Sequence, residues 1–196
     1  MLQTKRTIKL LLVIMLLLAS MNVFAQDDIM EGKGGRLIVA DAQSNTSLDP
    51  FVSSWHSWPH YAVFATLFQQ AENLEYVGYL ADTWEVDESG QGLTVNLIDY
   101  ATFSDGTPVN AEAIKWNLER YADPETGASQ GADLVGLLTE VEVLDEYSFK
   151  IHLDRPFAPL VFLLAGIEIV SPTAYEEMGA DEFGLNPVGA GPFLFK

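Results

Sequence analysis

The run from Phe103 to Arg120 restricts the fold more than any other stretch of the 196 residues. Asp105-Gly106 marks a tight turn, because glycine accepts positive φ without a Cβ clash. Asn110 follows as a helix cap that can accept a hydrogen bond from a free backbone N–H, with Glu112 in the positive first turn. Ala111, Ile114, Leu118 and Tyr121 then recur at helical spacing and define one buried face. The chain must therefore leave a strand end, turn sharply and lay an amphipathic helix on a core.

The elements around this corner read as hairpins and short helices. Gly78 to Val86 leads into a hairpin with Leu93 to Leu97 as partner, and Asp87 to Gly92 makes the turn. Val141 to Leu144 and Tyr147 to Leu153 form a second hairpin around Asp145-Glu146. Between them, Tyr121 to Gly136 is rich in glycine and polar residues and reads as a flexible loop. Pro156 to Pro159 opens a short apolar helix, Leu160 to Ala165, and Ile167 to Val170 reads as a buried strand. Ser171-Pro172 caps a further helix that Gly179 is expected to end. Nearer the start, residues 36–42 read as a buried strand. Ser47-Leu48-Asp49-Pro50 turns the chain, and Pro59 suits the first turn of a helix presenting Tyr61, Phe64, Ala65 and Phe68 on one face. The pattern is α+β.

Residues 1–25 read as a signal peptide. Lys5, Arg6 and Lys9 precede an apolar run, Leu10 to Met21, which at about a dozen residues is short for a membrane span of about 20. Val23-Phe24-Ala25 has the small residue that such cleavage sites require. The expected address is the periplasm, or secretion. The chain has no cysteine, so neither disulfides nor a lipid-modified cysteine are available to it. Three of its ten basic residues fall in the leader, which leaves seven against 28 acidic ones and a formal charge of −21 after cleavage. That balance argues against nucleic acid as a partner and permits cationic ligands.

The loop Phe51 to His60 carries the densest chemistry. Trp55 and Trp58 offer apolar faces, and Ser53, Ser54 and His56 offer hydrogen bonds. The same aromatics could instead serve as core residues ahead of the helix. His56 and His60, four apart, have no acidic or cysteine partner close in sequence, and His152 lies on the polar face of its strand with Lys150. No metal site and no cofactor are expected. A cysteine nucleophile is excluded, and no Gly-x-Ser-x-Gly, His-Glu-x-x-His or phosphate-cradling loop is expected, so the chain is not expected to be an enzyme.

Leu48-Asp49-Pro50, Leu80-Ala81-x-x-Trp84, Phe103-x-Asp105-Gly106-Thr107-Pro108 and Gly189-x-Gly191-Pro192-Phe193 stand in an order that resembles the peptide/nickel/opine class (family 5) of solute-binding proteins, the extracytoplasmic receptors of ABC importers. Ile98, Ala113 and Ala190 depart from the residues usual there, which bears on subclass more than on family. The resemblance covers about residues 36–196. It implies the N-terminal portion of a two-lobed, type II periplasmic-binding-protein-like fold with mixed and antiparallel sheets and flanking helices. On that basis residues 26–52 start the first lobe, 53–186 form a small middle domain, and 187–196 begin a truncated return strand. It implies a monomer that binds peptides or similar small solutes and docks on membrane permease subunits. It also places Ser54, Trp55, His56 and Trp58 along the ligand cleft. A secreted hydrolase or a non-transport extracellular interaction module is the alternative.

Overall fold

The structure is a computed structural model that describes residues 36–40, 46–53 and 57–196. It divides into two units, residues 1–43 and 44–196. In the first, residues 36–40 adopt no regular element, and Leu37 and Ile38 are 86% and 77% exposed. The expected buried strand is therefore not formed there. Among the described residues no strand pairs with it, and an apolar run of the right length does not make a strand without a partner.

The second unit is built around a four-stranded antiparallel sheet in the order β4-β5-β7-β6 (Ala81–Val86, Gly92–Leu97, Ser148–Leu153, Leu138–Asp145). Strand periodicity sets its two faces. Leu93, Val95, Phe149, Ile151 and Val141 point into the core, while Thr94, Lys150 and Glu142 lie on the other side. Both hairpins form where the sequence places them. Asp87 Oδ1 accepts from Ser89 Oγ (2.7 Å) and Gln91 N (3.2 Å) in the first turn, and Asp145 Oδ1 accepts from Tyr147 N (2.9 Å) in the second.

Helix α2 (Ala111–Ala122) packs against β6 through Ile114, Leu118 and Tyr121, all buried. Each such side chain contributes about 1.5–3 kcal/mol on removal from water. Asn110 caps the helix by accepting from Ala113 N at 2.9 Å, as expected. In the preceding turn Gly106 has φ +88°, and Asp105 accepts from Thr107 N (2.8 Å) and Ser171 Oγ (2.5 Å). Burial pushes the Asp105 carboxyl up, but these hydrogen bonds outweigh it and leave the group below its ordinary value.

Helix α1 (Trp58–Val63) is shorter than its apolar spacing predicts. Phe64, Ala65 and Phe68 are buried, but Tyr61 is 62% exposed, and the chain turns extended at Phe64. Strand β1 (Ala65–Thr66) pairs with β8 (Glu168–Ile169), and β2 (Phe68–Gln70) with β3 (Tyr76–Gly78). Strand pairing with residues a hundred positions away overrides the local helical pattern. The loop 121–136 is also packed rather than loose. It contains a 3₁₀ turn, Ser129–Gly131, with Ala128, Gly131 and Leu134 buried.

Helix α3 (Leu160–Leu164) forms as expected. Helix α4 (Pro172–Leu185) is capped by Ser171, whose Oγ accepts from Ala174 N (3.2 Å). Gly179, at φ +76°, breaks α4 without ending it. The chain resumes helical geometry because Phe183 and Gly184 still have a surface to pack on. Residues 189–193 then return beside α1, with Gly191 N donating to Val63 O (2.8 Å) and Phe193 N to Ala62 O (3.0 Å). A Cβ at Gly189 or Gly191 would collide with the Val63 backbone, which explains glycine at both positions.

Asn117 clasps the second half of the fold to α2. Its Oδ1 accepts from Val170 N (3.0 Å), and its Nδ2 donates to Val170 O (2.9 Å) and to Ala113 O (2.8 Å). Asn117→Leu would leave both polar groups of Val170 buried without these bonds. The expected loss is about 2–4 kcal/mol in urea unfolding, whereas a loss below about 1 kcal/mol would mean that water or a rearranged backbone satisfies them.

Candidate functional site

Two anchors bracket the segment expected to meet ligand. The first is Leu48-Asp49-Pro50. Leu48 N donates to Gly184 O (2.8 Å), and Asp49 is fully buried. Asp49 Oδ1 accepts from Phe51 N (3.0 Å), its main-chain oxygen accepts from Ser53 N (3.0 Å), and Oδ2 accepts from the Tyr175 hydroxyl (2.8 Å). The Tyr175 oxygen also accepts from Arg120 Nη2 at 3.1 Å. The Arg120 guanidinium lies 4.4 Å from the Tyr175 ring centre, 5.0 Å from Phe51 and 5.3 Å from Trp116. An acid, a phenol and a cation boxed by three rings thus fix the turn to α2 and α4.

Burial dominates the electrostatics of this group. It pushes the Asp49 carboxyl above its ordinary value against the opposing pull of the Phe51 N–H, the Tyr175 hydroxyl and Arg120. Burial, followed by the hydrogen bond to Asp49, pushes Tyr175 up to about 12.

The second anchor is the start of α1. Ser57 N donates to His60 Nδ1 (3.3 Å) in a capping box, with Pro59 in the first turn. His60 is therefore buried as a capping residue. His152 pairs with Glu142 (2.9 Å) on the solvent face of the sheet. Of the four residues expected at the cleft, Ser54, Trp55 and His56 lie outside the described residues. Trp58 is described, and is 49% exposed on the outward side of α1 beside the exposed Tyr61.

A concavity of about 380 Å³ was not anticipated from the sequence. Its polar lining comes from Gln70, Tyr76, Ser129, Gln130 and Asp133, and its apolar side from Phe162 and the end of α3. The signal was present in the loop 121–136, but no single residue there stood out among its glycines. That loop also spells Gly127-Ala128-Ser129-Gln130-Gly131, a Gly-x-Ser-x-Gly match, contrary to the expectation that the chain has none. Ser129 opens a three-residue 3₁₀ turn, not the strand-to-helix elbow that activates a nucleophilic serine.

Residues 75–196 match the family described as bacterial extracellular solute-binding proteins, family 5 Middle. The chain belongs to that family. Among curated relatives of this family-5 chain, the probable D,D-dipeptide-binding periplasmic protein DdpA of Escherichia coli (strain K12) is 31% identical over 175 residues, covering 82% of this chain and 33% of the relative. The glutathione-binding protein GsiB of Pectobacterium atrosepticum is 31% identical over 162 residues, covering 81% and 31%. The chain thus spans about a third of the length of the curated relatives it matches.

Solved structures agree on the fold. NikZ from Campylobacter jejuni, in complex with Ni(L-His), superposes with a TM-score of 0.73 at 24% identity, covering 79% of this chain and 31% of that one. The binding protein AgaA from A. tumefaciens R10, in complex with agropinic acid, gives 0.69 at 28% identity, covering 78% and 31%. The family-5 chain therefore carries part of the type II periplasmic-binding-protein fold, as its motifs imply.

Asp49 gives the site a pH signature. Its folded pKa exceeds the ordinary 3.8, so the native state holds this proton more tightly than the unfolded chain. Its contribution to stability is greatest below 3.8 and falls as pH rises through the folded pKa. Urea midpoints of the wild type should lose ground to Asp49→Asn across that window and run parallel above it. A wild type that gains on the variant as pH rises would show that Arg120 and Tyr175 outweigh burial.

Proposed function

We propose that the chain is part of the substrate-binding component of an ABC importer for oligopeptides or similar small solutes, with residues 53–186 as its middle domain. The match of residues 75–196 to the family-5 solute-binding proteins carries this reading. The signal-peptide pattern of residues 1–25 supports a periplasmic or secreted address, and several relatives are named as periplasmic or peptide-binding proteins. The site supports it too. The loop entering α1 is held at both ends by buried hydrogen bonds, and Trp58 is left facing outward.

Adjacent reading frames offer the first test: permease and ATPase genes are expected beside this one. Robust turnover of ester or glycoside substrates by the protein would overturn the reading. Binding gives a second expectation. Pockets hide about 70–90% of a ligand's surface, whereas the described residues present one open wall to it. Titrating the 196-residue chain with di- to pentapeptides, read by tryptophan fluorescence, should show affinity of roughly millimolar, about 4 kcal/mol. A saturable micromolar response abolished by Trp55→Ala would contradict that.

A further inference from the structure

We propose that the concavity between the β2–β3 hairpin, the 3₁₀ turn and the end of α3 binds the cationic end of a small solute, an ammonium or guanidinium carried on an apolar or aromatic body. This deepens the solute-binding reading and rests on it for its biological meaning, though its chemistry stands on the lining residues.

Phe162 has no part in the core. On α3, Leu160 and Leu164 are buried one turn apart, and Phe162 projects between them with 64% of its surface exposed. It meets Tyr76 edge to face at 6.1 Å between ring centres. Tyr76 is held in turn, because Gln70 Nε2 donates to its hydroxyl (3.4 Å) and to Leu74 O (3.3 Å). Leu74 carries that carbonyl from a left-handed backbone, φ +68°, the one non-glycine residue with positive φ among the described residues. The hairpin thus accepts an unfavourable conformation, and its glutamine amide orients the ring.

Across the concavity, the side chains of Gln130 and Asp133 have no hydrogen-bond or ion-pair partner among the described residues, although both line it. No lysine or arginine lines the concavity. Four of the described basic side chains are engaged elsewhere: Lys115 with Glu119, Lys150 with Asp87, Arg155 with Asp154, and Arg120 within its aromatic box. Glu72 and Glu75 lie on the adjoining hairpin tip and add charge of the same sign as Asp133. A carboxylate, an amide and two rings around a space of about 380 Å³ suit a cation with an apolar stem and disfavour an anion.

Phenylalaninamide, N-acetylphenylalanine and benzyl alcohol serve as probes, matched in ring and differing in charge. Each is titrated into the isotopically labelled chain and followed by amide NMR shifts at Gln130, Asp133 and Gly166. The cation should give clustered, saturable shifts at roughly millimolar concentration that weaken with added salt. The anion should give none, and the alcohol only weak ones. Asp133→Asn should weaken the cation by about tenfold and Phe162→Ser by about threefold. Both residues are on the surface, and an unchanged spectrum elsewhere verifies folding. Absent or non-saturable shifts with the cation, equal shifts with the anion, or shifts centred elsewhere would overturn the proposal. Missing permease genes beside a working cation site would instead sink the import reading alone.

Discussion

The hydrogen bond from Tyr175 to buried Asp49, 2.8 Å long and spanning 126 positions, is the contact on which the rest of the second unit depends. Asp49 is removed from water, which is costly for a carboxylate unless its lone pairs are satisfied. Here the Phe51 N–H and the Tyr175 hydroxyl satisfy it, and the Arg120 guanidinium supplies the countercharge. Phe51 is pinned by the same arrangement, fully buried among Trp116, Tyr121 and Tyr175. One turn is thereby locked to two helices that are distant in sequence.

The node lies just ahead of the segment expected to meet ligand. A chain fixed at Asp49 and again at the Ser57–His60 cap leaves few residues between its anchors. Asn117 plays the matching role at the other end, holding Val170 and, through the Val170–Gly189 bridge, the returning segment beside α1. Val170 directly follows β8, so Asn117 also holds the end of the buried β1–β8 pair.

Legibility in the sequence follows the range of the interactions. The hairpins, the Asp105-Gly106 turn and the Asn110 and Ser171 caps were readable because each is decided within a few residues. The extent of α1 was not, because Ala65 and Phe68 sit in strands whose partners, Ile169 and Gly78, the helical spacing cannot reveal. Residues 36–40 have the composition of a strand but no partner among the described residues, and composition cannot supply one. In the loop 121–136, glycine and proline masked the apolar residues Ala128 and Leu134 that pack it down. The candidate site was legible only in part. Leu48-Asp49-Pro50 stood out as a motif, yet neither Tyr175 nor Arg120 could be assigned to its buried acid from spacing alone.

A double-mutant cycle on Asp49→Ala and Tyr175→Phe, measured by urea unfolding, tests the tether most directly. If the hydrogen bond couples the turn to α4, the two losses should fall short of additivity by about 1–3 kcal/mol, because the second substitution removes a contact already gone. Losses that add to within about 0.3–0.5 kcal/mol would show two independent sites and contradict the tether.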